Sequence, residues 1–93
     1  MNNLTVNKWS IDDLKEAHKF CIRNFESIKN SHKTGCFYCC KIFDGAEIID
    51  WITEDDGGKT CLCPECPIDS VIGDASGYPI TIEFLNAMNE YYF

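Results

Sequence analysis

Cys36-Phe37-Tyr38-Cys39 and Cys63-Pro64-Glu65-Cys66 are the two stretches that decide how this chain is read. A Cys-x-x-Cys turn presents two sulfurs on one side of a tight loop, and two such turns supply the four soft ligands of a tetrahedral zinc site. The pairs are separated by 23 residues, slightly more than the usual zinc-ribbon interval. Pro64 fits a turn of this kind, because its ring pre-sets one backbone angle and removes a donor that need not face the sulfurs. The expectation is one structural Zn²⁺ held by Cys36, Cys39, Cys63 and Cys66.

Seven cysteines occur in 93 residues, so three remain outside that set. Cys21 falls on the apolar stripe of a helix and reads as a small core residue. Cys40 and Cys61 flank the pairs; they read as core or strand residues, with ligand substitution as the alternative. His18 lies on an apolar face and His32 in a polar loop, and neither is needed to complete four ligands. A dithiol redox site requires its first cysteine at a helix N-terminus, whereas both pairs lie in loops; oxidation of a zinc thiolate leaves a thiol switch as a minor alternative. A catalytic zinc normally keeps three protein ligands and a water beside a general acid or base. The chain has no His-x-Glu, and Asp69-Ser70 has no histidine at a recognisable spacing, so the expectation is a protein that is not an enzyme.

Outward from the cysteines, Ser10 with Asp13 forms a capping signature, with Trp9 and Leu14 in staple positions. Leu14, His18, Cys21, Phe25 and Ile28 then recur at helical spacing, and Ile11 and Ile22 widen the stripe. This predicts one helix from Ile11 to Lys29, ended by the turn formers of residues 30–35. Between the pairs, residues 40–43 alternate like a strand. Asp44 and Glu47 form a second capping signature, and Ile48, Ile49, Trp51 and Ile52 suggest a two-turn helix ended by residues 54–58. Residues 59–63 would return as a strand paired with 40–43, bringing the two turns together. The last third predicts a final helix with Thr81 as N-cap, Ile80 and Leu85 as staple, Ile82, Leu85, Met88 and Tyr92 inward, and Phe93 docked.

The fold class expected is α+β: a small zinc-knuckle domain, treble-clef or zinc-ribbon-like. It has a long N-terminal helix (about 10–30), a short helix between the knuckles and a C-terminal helix. Residues 1–93 form a single domain, with the knuckle core and C-terminal helix over about 35–93.

Charge narrows the function. The net charge of −7 divides into +3 over residues 1–43 (seven Lys/Arg, four Asp/Glu) and −10 over 44–93 (Lys59 against eleven acids). Nucleic-acid binding calls for a basic footprint, which most of this surface lacks. The expectation is therefore an acidic protein-protein interaction module, in one version a stoichiometric inhibitor or immunity-type protein covering a basic surface. Tyr38, Trp51, Glu54, Asp55 and Asp56 are its candidate contacts. Lys15, Lys19 and Arg23, every fourth residue, make the alternative, a nucleic-acid-binding or regulatory zinc finger; otherwise they form a solvated face, or meet the acidic half of the chain or of a second copy in a homodimer. Residues 1–8 hold no apolar core of a secretory leader, and no run reaches the roughly 18 apolar residues of a membrane span. A cytoplasmic location is expected, where thiols stay reduced and metal is favoured over disulfide.

The cysteine pairs with Ile42-Phe43, Ile48 and Trp51, the string Asp69-Ser70-Val71-Ile72-Gly73, and then Gly77-Tyr78-Pro79-Ile80-Thr81, Phe84-Leu85, Met88 and Tyr92-Phe93 resemble a family of small bacterial and phage-type proteins known only as cytoplasmic proteins. The resemblance spans about residues 36–93 and implies a zinc-knuckle fold without an activity. Pro67 departs from it, standing where relatives carry glycine.

Overall fold

Ser10 starts the first helix in the way its neighbours dictate. Its hydroxyl accepts from the Asp13 N–H (3.1 Å), and its own N–H donates to the Asp13 carboxylate (3.2 Å), which closes a capping box at the head of α1, Ile11–His18. The computed structural model describes residues 9–93; the sequence expectation about a leader in residues 1–8 lies outside the described residues. Among the described residues no helix is long and apolar enough to cross a membrane.

The continuous helix expected to Lys29 is broken. A single 3₁₀ turn, Lys19–Cys21, follows α1; Ile22 is extended (φ −131°, ψ 146°), Arg23 is left-handed (φ 50°), and a short α2, Phe25–Lys29, resumes. The cause is tertiary. The Arg23 N–H donates to Thr60 Oγ1 (2.8 Å), and buried Asn24 accepts from the Cys61 N–H (3.1 Å) and donates to the Val71 carbonyl (3.0 Å). These bonds satisfy buried main-chain groups that local helical geometry would leave unpaired. Past the break Ile22 and Phe25 end exposed, as does Ile11 at the head of α1, while Leu14, Cys21 and Ile28 stay buried.

Two small antiparallel sheets are built from residues 34–73. β1 (Thr34–Cys36) lies between β2 (Ile42–Phe43) and β5 (Val71–Gly73), and β3 (Trp51–Thr53) pairs with β4 (Lys59–Cys61). Two sequence expectations are corrected here. The Asp44/Glu47 capping box forms (2.9 and 3.1 Å), but it caps one 3₁₀ turn, Gly45–Glu47, and no two-turn helix. Residues 51–53 are a strand, as β-branched and aromatic side chains favour, and Trp51 sets its ring edge-on to Phe25 at 5.2 Å. The second correction is the pairing: the strand at 42–43 pairs with β1, and β4 pairs with β3 through the turn over 54–58.

The final helix, α3 (Ile82–Tyr92), is capped by Thr81 as expected, with its hydroxyl accepting from the Phe84 N–H (3.1 Å). Leu85 and Met88 are buried, joined by Phe84 and Ala87, whereas Ile82 is exposed. Phe93 is 62% exposed, although its ring meets that of Tyr38 edge-on at 4.8 Å.

Successive residues of β5 point to opposite faces, and this divides the core. Ile72 joins Leu14, Cys21, Phe37, Leu85 and Met88 between the sheet, α1 and α3. Val71 joins Ile28, Phe43, Ile48, Cys36, Cys61 and Cys63 on the other side, with Cys39 and Cys66 packed against them. A Cβ at Gly35 would stand 2.9 Å from Leu85 Cδ1, so α3 seats on β1 only because that position has no side chain. The result is a small mixed helix and sheet domain with three α-helices among the described residues.

Candidate metal centre

Each cysteine pair sits in a loop closed by the same two bonds. The first cysteine donates its N–H five residues ahead, Cys36 to the Lys41 carbonyl (3.0 Å) and Cys63 to the Ile68 carbonyl (2.9 Å). Its sulfur accepts an N–H from two residues ahead, Tyr38 to Cys36 Sγ (3.4 Å) and Glu65 to Cys63 Sγ (3.3 Å). The residue after the second cysteine has positive φ in both loops, Cys40 at 60° and Pro67 at 29°. The two knuckles are therefore copies of one local geometry, and the core brings them face to face.

Across the gap, Cys36 Sγ lies 3.6 Å from Cys66 Sγ and Cys39 Sγ 3.8 Å from Cys63 Sγ; all four sulfurs lie within 4.8 Å of one another. Four thiolates around one zinc with bonds of about 2.3 Å define a tetrahedron with edges of about 3.8 Å, so the donor set fits a metal ion of that size. The same distances are far longer than the roughly 2.05 Å of a disulfide, and all seven cysteines are free thiols.

The electrostatics set the thiols of the cluster against one another. Burial disfavours the Cys36 thiolate, but the Ser70 hydroxyl (3.4 Å) with the main-chain groups of Cys39 and Tyr38 outweighs it and holds the pKa below the ordinary thiol value. Burial, with the charge of Cys36, pushes Cys63 and Cys66 the other way. One thiolate in this cluster thus opposes the next, an opposition that a bound cation, which deprotonates its thiol ligands, would relieve.

The other cysteines stay out of the cluster. Cys21 and Cys61 are buried, with burial raising their pKa to about 11 and about 12 respectively. Cys40 is half-buried, and burial followed by the charges of Cys36 and Cys39 raises its pKa too. His18 packs against Tyr92 at 4.2 Å between ring centres, and His32 is exposed; neither belongs to the four-residue group.

The remaining candidates are scattered. Tyr38 is exposed on the first knuckle, and Trp51 is half-buried against the second cluster. Glu54 accepts from the Thr60 hydroxyl (2.7 Å), Asp56 pairs with Arg23 (2.7 Å), and Asp55 is exposed. Arg23 and the Gly58 N–H hold the Asp56 carboxyl below its usual range, the Gly58 bond being the larger influence. Of the basic stripe, Lys15 lies on α1, Lys19 in the 3₁₀ turn beside Glu16 (3.1 Å), and Arg23 beyond the helix break.

Three supporting residues were not singled out from sequence. Ser70 bonds Cys36 Sγ, Asn89 Nδ2 donates to the carbonyls of Phe37 and Tyr38 (both 3.0 Å), and Asn24 Nδ2 reaches Cys61 Sγ (3.5 Å). Asn89 ties the first knuckle to α3, and Ser70 reaches it from beside β5. Only Ser70 left a sequence signal, through its place in the Asp-Ser-Val-Ile-Gly string. Comparison with protein-family models, curated proteins and solved structures gave no match to this chain.

Proposed function

We propose that the chain holds one structural zinc ion through Cys36, Cys39, Cys63 and Cys66 and acts, without catalysis, as an acidic protein-protein interaction module of the inhibitor or immunity type. The observation that carries the zinc is the convergence of four sulfurs, with closest cross-loop separations of 3.6 and 3.8 Å. Four thiolates close the coordination sphere and leave no position for a substrate water, which favours a structural role. The fold is then a zinc-knuckle domain. Its ribbon-like form is the better description, because the second knuckle leads into β5 and not into a helix.

The interaction role draws on the charge of −10 over residues 44–93, which would repel phosphate and attract a basic protein face. The internal pairing of Lys19 with Glu16 and of Arg23 with Asp56 leaves the helix stripe a weak phosphate track, so the nucleic-acid reading ranks below. A cytoplasmic setting agrees with free thiols in a metal-binding arrangement.

Metal analysis of protein purified without added zinc should give about one zinc per chain, and less than about one per two chains would refute the site. Capture from the native cell followed by sizing of the complex should give a defined stoichiometry with salt-sensitive association. Steep salt-dependent binding to DNA or RNA, lost on substitution of Lys15, Lys19 and Arg23, would instead establish the nucleic-acid reading.

A further inference from the structure

One edge of the β3–β4 hairpin is open. The Leu62 N–H donates to the Asp50 carbonyl (3.0 Å) and the Glu54 N–H to the Gly58 carbonyl (2.7 Å), with Ile52 opposite Thr60 between them. Alternation along an antiparallel ladder then turns the main-chain groups of Asp50, Ile52 and Glu54 toward β4 and those of Trp51 and Thr53 away from it. Among the described residues no strand pairs on that outer side. Apolar surface accompanies the edge: Ile49 is 81% exposed, Ile52 is exposed, and Trp51 walls a mostly apolar cavity of about 460 Å³ with Phe25, Ile28 and Ala46, rimmed by Lys29 and Asp44.

We propose that this edge is a docking strand for an extended segment of a partner protein in which basic and apolar residues alternate. The proposal rests on the acidic-module reading and deepens it. Residues 44–56 carry six acids (Asp44, Glu47, Asp50, Glu54, Asp55 and Asp56) and no Lys or Arg; with Asp56 paired to Arg23 and Lys29 lining the cavity, acids still outnumber bases, so the charge complement of the edge is basic. A second copy is a poor occupant, since each chain carries a net charge of −7, and antiparallel self-pairing centred on Ile52 would also set Asp50 opposite Glu54 of the other chain, where like charges are destabilising. An incoming strand would exchange main-chain hydrogen bonds with Trp51 and Thr53, and its side chain beside Trp51 would share that residue's face of the sheet and compete for the apolar cavity. Main-chain pairing supplies affinity, while the acids and the cavity select the sequence.

The test uses the zinc-loaded full chain, labelled with ¹⁵N, and a synthetic peptide alternating lysine and valine. Binding should weaken with salt and slow amide exchange at Trp51 and Thr53 while leaving Ile52 nearly unchanged, because Ile52 already faces β4. Thr53→Pro removes one outward donor at an edge position that tolerates proline, and should lower affinity by about tenfold or more at unchanged zinc content. Should that variant fail to fold, paired Asp50→Lys and Asp55→Lys substitutions should also cost about tenfold and transfer binding to a peptide alternating glutamate and valine. Equal binding of a lysine-valine peptide interrupted by proline, or shifts mapping elsewhere on the acidic half, would overturn the edge assignment while leaving the acidic-module reading in place. Concentration-dependent protection of the same amides without peptide would make a second copy the occupant and overturn the proposal. No binding of any lysine-rich peptide at about 1 mM would overturn both readings.

Discussion

Asn24→Ala tests how the two halves of the core are joined. Asn24 is buried, and its side-chain amide stands between two strand edges: Oδ1 accepts from the Cys61 N–H of β4 (3.1 Å), and Nδ2 donates to the Val71 carbonyl of β5 (3.0 Å). Both main-chain groups face away from their own ladders, because Cys61 lies opposite Trp51 and Val71 opposite Cys36, at positions that alternate with the bonded pairs. The asparagine amide therefore substitutes for a peptide unit linking two sheets that share no strand. Alanine would leave two buried groups unsatisfied at about 1–3 kcal/mol each, a total of about 2–6 kcal/mol. Stability for a domain of this kind is only about 5–15 kcal/mol, so the loss is a large fraction of the whole. At about 4–8 °C per kcal/mol, even the lower bound lowers Tm by at least about 8 °C. The assay is thermal unfolding followed by far-UV circular dichroism in excess zinc, with metal content measured in parallel. A Tm drop below about 4 °C at unchanged metal content would show that the amide does not bridge the sheets.

Substituting serine for any one of Cys36, Cys39, Cys63 or Cys66 should release the metal and a chelator should unfold the native chain, whereas Cys21→Ala, Cys40→Ala and Cys61→Ala should each retain about one equivalent by metal analysis. In the zinc-loaded protein a thiol reagent at neutral pH should modify half-buried Cys40 before buried Cys21 and Cys61, which peptide mapping would read directly. Because burial raises Cys21 to about 11 and Cys61 to about 12 above the ordinary 9.0, the folded chain holds protons that the unfolded chain releases. Stability should accordingly fall as pH rises from about 9 toward 11, with Cys61→Ala flattening the slope of urea midpoint against pH.

The amino-acid sequence by itself determined the features whose causes lie within a few residues. The Ser10/Asp13, Asp44/Glu47 and Thr81 caps all form, and the Cys-x-x-Cys turns carry their sulfurs to one side as their spacing requires. A cap joins partners two or three positions apart, so its energy is present wherever the local chain is ordered. Tertiary structure decided how the chain continues beyond each cap. The Asp44/Glu47 box opens only a 3₁₀ turn, because an apolar run as short as residues 48–52 satisfies helix and strand periods alike and packing arbitrates: Trp51 sits against Phe25, with β4 beside it. The periodicity of residues 11–28 was real at Leu14, Cys21 and Ile28, but its continuity was overruled at Ile22–Asn24 by bonds from Asn24 to partners 37 and 47 residues away. The two cysteine pairs were legible in the same divided way. Their residues and turns could be read along the chain, whereas their meeting depends on β1 and β5 on one side and the β3–β4 hairpin on the other. Which strand pairs with which is fixed by burial of faces on both sides of β5, a property of the assembled core that no local stretch contains.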